Sequence, residues 1–164
     1  MKPEKKLQKD LAKVLNRIPT VSGHEAIENG IACGTPDYAY TIGGINGWFE
    51  LKVQEEPKDI TKKLKIKHWT PNQRQWMKKR MLCPTVFLIV RIGEWDYIFD
   101  TKTMFFIENQ CYAEILEYHP WRVKFSDKAF WTFVELSKLS AKLHGISTIK
   151  ERKQLHVWIV TGKH

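Results

Sequence analysis

Gly34-Thr35-Pro36-Asp37, followed beyond the glycines of Gly43-Gly44-Ile45-Asn46-Gly47 by Trp48-Phe49-Glu50-Leu51-Lys52, is the stretch whose reading decides the fold. Read as two antiparallel strands, it sets one carboxylate on the first and a Glu-x-Lys pair on the second. Side chains alternate faces along a strand, so Glu50 and Lys52 share a face with Trp48 while Phe49, Leu51 and Val53 point the other way. An otherwise apolar strand does not bury a glutamate and a lysine unless they have partners or a task.

The turn decides whether Asp37 reaches that pair. A two-residue turn at Gly43-Gly44 sets Asp37 opposite Glu50. The rival turn, Asn46-Gly47, is the stronger hairpin signal taken alone. It would pair Glu50 with Gly43 and leave Asp37 about 20 Å away along the strand. A wider loop over residues 43–47 lies closer to the first register. Only the first and third choices build a site.

Outward from the hairpin, composition limits the possibilities. The chain has 164 residues, 43% of them hydrophobic, which suits one domain with a real core. Twenty-seven Lys and Arg stand against 18 Asp and Glu, a net charge of +9. Such an excess points to a polyanion, nucleic acid being the commonest. No long basic amphipathic helix offers an aliphatic face to a membrane, and the longest apolar run, residues 86–90, is far too short to span one. Cys33, Cys83 and Cys111 are scattered, with no Cys-x-x-Cys spacing for zinc or a disulfide framework. Met1-Lys2-Pro3-Glu4-Lys5-Lys6 lacks the apolar core of a signal peptide. The expected setting is cytoplasmic and reducing.

Before the hairpin, residues 4–17 read as a helix, with Leu7, Leu11, Val14, Leu15 and Ile18 on one stripe. Glu4 falls within that stripe. There it suits a metal site, and it equally suits the helix dipole as a first-turn acid. Residues 20–24 read as a loop and 25–31 as a short strand, in which Glu28 faces either the site or solvent.

After the hairpin, residues 54–67 read as a polar, mobile loop beside the site. Between Lys58 and Arg80 nine Lys or Arg accompany one acid, Asp59. Phosphate contacts are expected there, at Lys62, Lys63, Lys65, Lys67 and Arg74. For any one lysine, a solvated surface role is the commoner case. Thr70-Pro71-Asn72-Gln73 is a helix start, with Thr as N-cap, Pro first and Gln three after the cap. The helix is expected to run to about Leu82. Gln73 either closes the capping box or turns to the substrate.

Residues 85–92 are continuously aliphatic and β-branched, a strand buried on both faces. Gly93-Glu94 turns into a second strand, 95–100. Beyond it, residues 105–107 suggest a short strand and 112–118 a helix. Ser126 caps a helix over 127–144 stopped by Gly145, and residues 155–160 suggest an edge strand. Trp69, Trp76, Trp121 and Trp131 can stack on bases, although tryptophans at helical spacing more often serve the core. The six histidines show no paired spacing for zinc, and no Gly-rich phosphate loop precedes a helix.

Two carboxylates and a lysine on adjacent strands of a basic protein suit metal-dependent phosphodiester hydrolysis. Asp37 and Glu50 would hold Mg²⁺ or Mn²⁺, a hard cation that keeps several waters. Lys52 would orient the attacking water or stabilise the transition state.

Pro36-Asp37 with Glu50-Leu51-Lys52 resembles the PD-(D/E)xK nuclease superfamily. The longer string Glu28-Asn29-Gly30, Gly34-Thr35-Pro36-Asp37, Gly47-Trp48-Phe49-Glu50-Leu51-Lys52, Gln73 and Trp76 is similar to its VRR-NUC and phage Holliday junction resolvase-like branches. The resemblance covers about the first 100 residues. It implies an α/β, restriction-endonuclease-like core, a mixed sheet flanked by helices, over 1–104. Residues 105–164 would form a C-terminal helical extension packed on the core or serving as a dimer surface.

It further implies Asp37 and Glu50 as metal ligands, Lys52 as the catalytic lysine, Gln73 as an accessory residue and a first-helix carboxylate, for which Glu4 is the only acid suitably placed. The expected activity is a divalent-metal-dependent endonuclease on branched DNA, acting as a homodimer in a bacterial or phage-infected cell. The alternatives are a nonhydrolytic nucleic-acid-binding protein of the same fold and a linear-duplex or flap nuclease.

Overall fold

The computed structural model describes residues 2–19, 21–27, 34–42, 44–81, 83, 85–101, 103–105, 107–118 and 122–123. Glu28, Trp121, Trp131, the helix expected over 127–144 and the strand expected over 155–160 lie outside them, and with them most of the expected C-terminal extension. The described chain is mixed α/β. Helix α1 (Pro3–Leu15) leads into a meander of β1 (Val21–Ala26), β2 (Tyr38–Ile42) and β3 (Ile45–Gln54). Helix α2 (Pro71–Lys78) lies on the crossover to β4 (Val86–Ile92), which turns into β5 (Trp95–Asp100). A 3₁₀ turn (Ile107–Asn109), helix α3 (Tyr112–Tyr118) and a two-residue strand β6 (Arg122–Val123) follow.

The strands form one sheet in the order β1-β2-β3-β4-β5-β6. Every neighbouring pair is antiparallel except β3–β4, which is parallel. A parallel pair needs a long crossover, and residues 55–85 supply it. Two apolar layers result. On one face, Leu7, Leu11, Val14, Leu15 and Ile18 of α1 and its C-terminal turn pack on Phe49 and Leu51 of β3 and Phe87 and Ile89 of β4. Burying each such side chain contributes about 1.5–3 kcal/mol, which fixes α1 against the sheet. On the other face, Leu88, Val90, Tyr97 and Phe99 pack under Met77 of α2, Leu64, Ile66 and Trp69 of the crossover, and Tyr112 and Ile115 of α3.

An ion cluster sews α1 to the sheet. Arg91 on β4 donates to Asp96 on β5 at 2.7 and 3.0 Å and to Asp10 on α1 at 2.8 Å.

Four expectations change. The strand before the hairpin begins at Val21, so residues 21–24 are strand and not loop. They pair with Tyr40 to Ile42 as an edge strand, where a backbone ladder needs little apolar alternation. Residues 54–67 are tied down at points the expected loop did not have: Gln54 ends β3, and Leu64 (3% exposed) and Ile66 (5%) are anchored in the second apolar layer. Of the segment 105–107, expected as a strand, Phe105 lies in a turn and Ile107, fully buried, opens the 3₁₀ turn Ile107–Asn109. Helix α2 stops at Lys78, short of Leu82. There Arg80 and Met81 bond to carbonyls three residues back, tightening the chain ahead of Pro84.

Candidate active site

The hairpin register builds the site. Tyr38 pairs with Phe49, Ala39 with Trp48, Tyr40 with Gly47 and Ile42 with Ile45, which leaves two positions between the paired strands. Gly44 has φ +79°, the left-handed conformation that such a turn demands. One step past the Tyr38–Phe49 pair, Asp37 arrives opposite Glu50. The first of the three registers considered is therefore the one adopted.

Asp37 is fixed by the strand it faces, its Oδ2 accepting from the Leu51 backbone N–H at 3.0 Å. Lys52 Nζ lies 3.5 Å from that same Oδ2. It also donates to the Glu50 carboxylate and, at 3.1 Å, to the Leu51 carbonyl. Asp37, Glu50 and Lys52 thus converge on one point of the sheet face opposite α1.

Burial is graded across the three: the side chains of Glu50 and Lys52 are 0% and 4% exposed, that of Asp37 34%. The site therefore opens to solvent at Asp37 and is closed beneath it. Burial, reinforced by the like charge of Asp37 and opposed by Lys52, pushes the Glu50 carboxyl up to about 8. Burial disfavours the charge on Lys52, but attraction from Glu50, Asp37 and, more weakly, Glu4 raises its pKa overall. Glu4, in the first turn of α1, is thus within electrostatic reach of the cluster.

Glu50 Oε2 is buried without a hydrogen-bond partner. A carboxylate oxygen in that position beside a second carboxylate suits a hard cation, which bonds the orphaned oxygen and offsets the repulsion between the pair. Among the described residues no group of three or more His, Cys, Asp or Glu side chains gathers to form a protein-only cage. Two carboxylates are a donor set that a hard, water-retaining cation can take.

The other expected residues have definite places. Gln73 closes the capping box of α2: its Oε1 accepts from the Thr70 N–H at 3.0 Å, and its own N–H donates to Thr70 Oγ1 at 3.3 Å. Arg74 lies over the Trp69 ring, 4.7 Å from its centre, and its Nε donates to the Trp69 carbonyl at 3.1 Å. Trp69 is buried and stacked on Phe105. Trp76 is half-buried between Trp48, met edge to face at 5.7 Å, and the Arg80 guanidinium, 3.6 Å from its ring centre. Lys62 bridges Asp59 at 3.5 Å, with its own side chain 79% exposed. Lys63, Lys65 and Lys67 are exposed.

Two contributors escaped the sequence reading. Gly34, with φ +95°, lies so close to α2 that an added Cβ would sit 2.7 Å from the Asn72 carbonyl carbon. This contact holds the loop bearing Asp37 against the first turn of α2, and only structure reveals it. Gln54 continues the Glu50–Lys52 alternation by two and accepts from the Lys67 N–H at 3.4 Å. That alternation was visible in the sequence.

Compared with models of known protein families and with curated proteins, the chain matches none. Among the described residues no helix is long and apolar enough to cross a membrane.

Proposed function

We propose that the protein is a divalent-metal-dependent deoxyribonuclease of the PD-(D/E)xK type, with a restriction-endonuclease-like core. The observation that carries this reading is the convergence of Asp37, Glu50 and Lys52 around a buried, partnerless carboxylate oxygen. Asp37 and Glu50 would hold Mg²⁺ or Mn²⁺, which when bound supplies a water of lowered pKa and offsets charge on the scissile phosphate.

The chain's own groups do the rest. Asp37, locked by the Leu51 N–H, presents its carboxylate at the solvent-facing mouth where a phosphate enters. Lys52 is held as an ammonium by its acidic neighbours. An ammonium has no lone pair, so in that state Lys52 donates hydrogen bonds: it orients a nucleophilic water or stabilises charge on the phosphate oxygens, and does not act as base. The buried floor of Glu50 keeps bulk water from that side of the reaction.

Branched DNA as substrate, a homodimer as the active form and accessory roles for Gln73 and Glu4 rest on the resemblance and are part of the same proposal. The test is a panel of junction, flap, duplex and single-stranded DNA incubated with Mg²⁺ or Mn²⁺. Cleavage should require the cation and fall about 100-fold or more in Lys52→Ala, the size expected for losing a transition-state donor. Mn²⁺ binding should persist in that variant. DNA binding without cleavage of any substrate under either cation, unchanged by Asp37→Ala, would instead identify a nonhydrolytic binding protein. Preference for duplex or flap over junction would replace the branched-DNA assignment alone.

A further inference from the structure

The crossover from β3 to α2 carries a regular charge pattern. From residue 63 to 67, exposed lysines alternate with buried aliphatic residues: Lys63, Leu64, Lys65, Ile66, Lys67. Leu64 and Ile66 are sunk in the apolar layer shared with α2, α3 and β4. The alternation of burial leaves Lys63, Lys65 and Lys67 exposed between those anchors. Fully extended, their Cα atoms would span at most about 13 Å.

The segment is stitched at both ends. Lys63 forms a β-bridge with Cys111, the Leu64 N–H donates to the Gln110 carbonyl at 3.0 Å, and the Ala113 N–H donates to the Ile60 carbonyl at 2.9 Å. At the other end, Lys67 N–H reaches Gln54 Oε1, and Gln54 lies two positions beyond Lys52 on the same face of β3. The lysine row therefore runs from α3 to the strand that carries Glu50 and Lys52.

We propose that Lys63, Lys65 and Lys67 form a rigid comb that binds the sugar–phosphate backbone of one nucleic-acid strand and leads it to Asp37. The placement of the target phosphate rests on the nuclease reading; the binding itself does not. Three ammonium groups on a fixed backbone contact phosphates with less ordering cost than three on a flexible loop. Two other cations of the region stand outside the row. Lys62 is turned to Asp59, and Arg74 is laid over Trp69.

The test measures duplex DNA affinity against salt by fluorescence anisotropy, using the full chain with Lys52→Ala to prevent cutting. Each phosphate contact contributes about 0.9 to the slope of log affinity against log salt, so Lys63→Ala/Lys65→Ala/Lys67→Ala should make it shallower by about 2.7. A matched charge loss on exposed α1 positions, Lys5→Ala/Lys9→Ala/Lys13→Ala, should leave the slope unchanged, as should Lys62→Ala. The same triple replacement by arginine should retain the slope. Should the alanine triple melt early, the glutamine triple carries the same measurement.

Equal flattening by the α1 triple, or none by the comb triple, overturns the proposal. Cleavage lost in Lys52→Ala with an unaltered comb slope sinks the comb and leaves the nuclease standing. A flattened comb slope without cleavage under any divalent cation does the reverse.

Discussion

The buried Glu50 carboxyl makes cation binding and proton release a single event. With its pKa pushed up to about 8, Glu50 is mostly protonated at pH 7. A cation takes the ionised form, so binding at pH 7 should release most of a proton from this group. Apparent affinity should tighten as pH rises and level off above about 8. Between pH 8 and pH 6 the ionised fraction falls by more than tenfold, equivalent to about 2 kcal/mol of binding.

Titration calorimetry with Mn²⁺ in buffers of differing ionisation enthalpy reads both quantities. Glu50→Gln should remove the proton release and weaken binding at every pH. In the metal-free protein the sign is opposite. The unfolded carboxyl ionises near 4.5 and the folded one near 8, so the unfolded state holds fewer protons between them. Stability should then fall as pH rises through that window, and saturating Mn²⁺ should flatten the fall. An affinity constant from pH 6 to 8, with no proton released, would refute the burial argument.

Gly34→Ala should be costly at a position that makes no contact with DNA in this reading. The new Cβ meets the Asn72 backbone at 2.7 Å, and the residue must also adopt φ +95°. About 2 kcal/mol of lost stability in urea unfolding is expected, with cleavage reduced because the Asp37 loop shifts. Arg91→Met removes the guanidinium that neutralises the nearly fully buried Asp96. It should cost about 3 kcal/mol by the same assay while leaving Mn²⁺ affinity unchanged, since the cluster lies on the α1 face.

The hairpin was legible because two kinds of signal agreed. Glycines marked the turn, and the Glu50–Lys52 spacing demanded a partner that only one family of registers supplied. The capping box of α2 and the doubly buried β4 were equally plain, since each depends on neighbours in sequence. What escaped depends on neighbours in space. Val21-Ser22-Gly23-His24 has no strand-like apolar pattern; it is a strand because β2 offers it a ladder. Residues 54–67 looked mobile because lysines outnumber aliphatic residues there, yet two buried side chains suffice to anchor them. The seating of Gly34 on Asn72 joins positions 38 apart and leaves no trace in local composition.

The two-residue turn of the hairpin has a consequence for how this chain tolerates change in length. With Ile42 paired to Ile45, no slack separates β2 from β3. An insertion or deletion at that tip that slid β2 by one position would carry the Asp37 carboxylate to the wrong side of the sheet, leaving every acid and lysine of the site unaltered in identity. Descendants of this sequence can lengthen other surface connections at modest entropic cost, but this bend is a ruler whose length is held by the chemistry two strands build together.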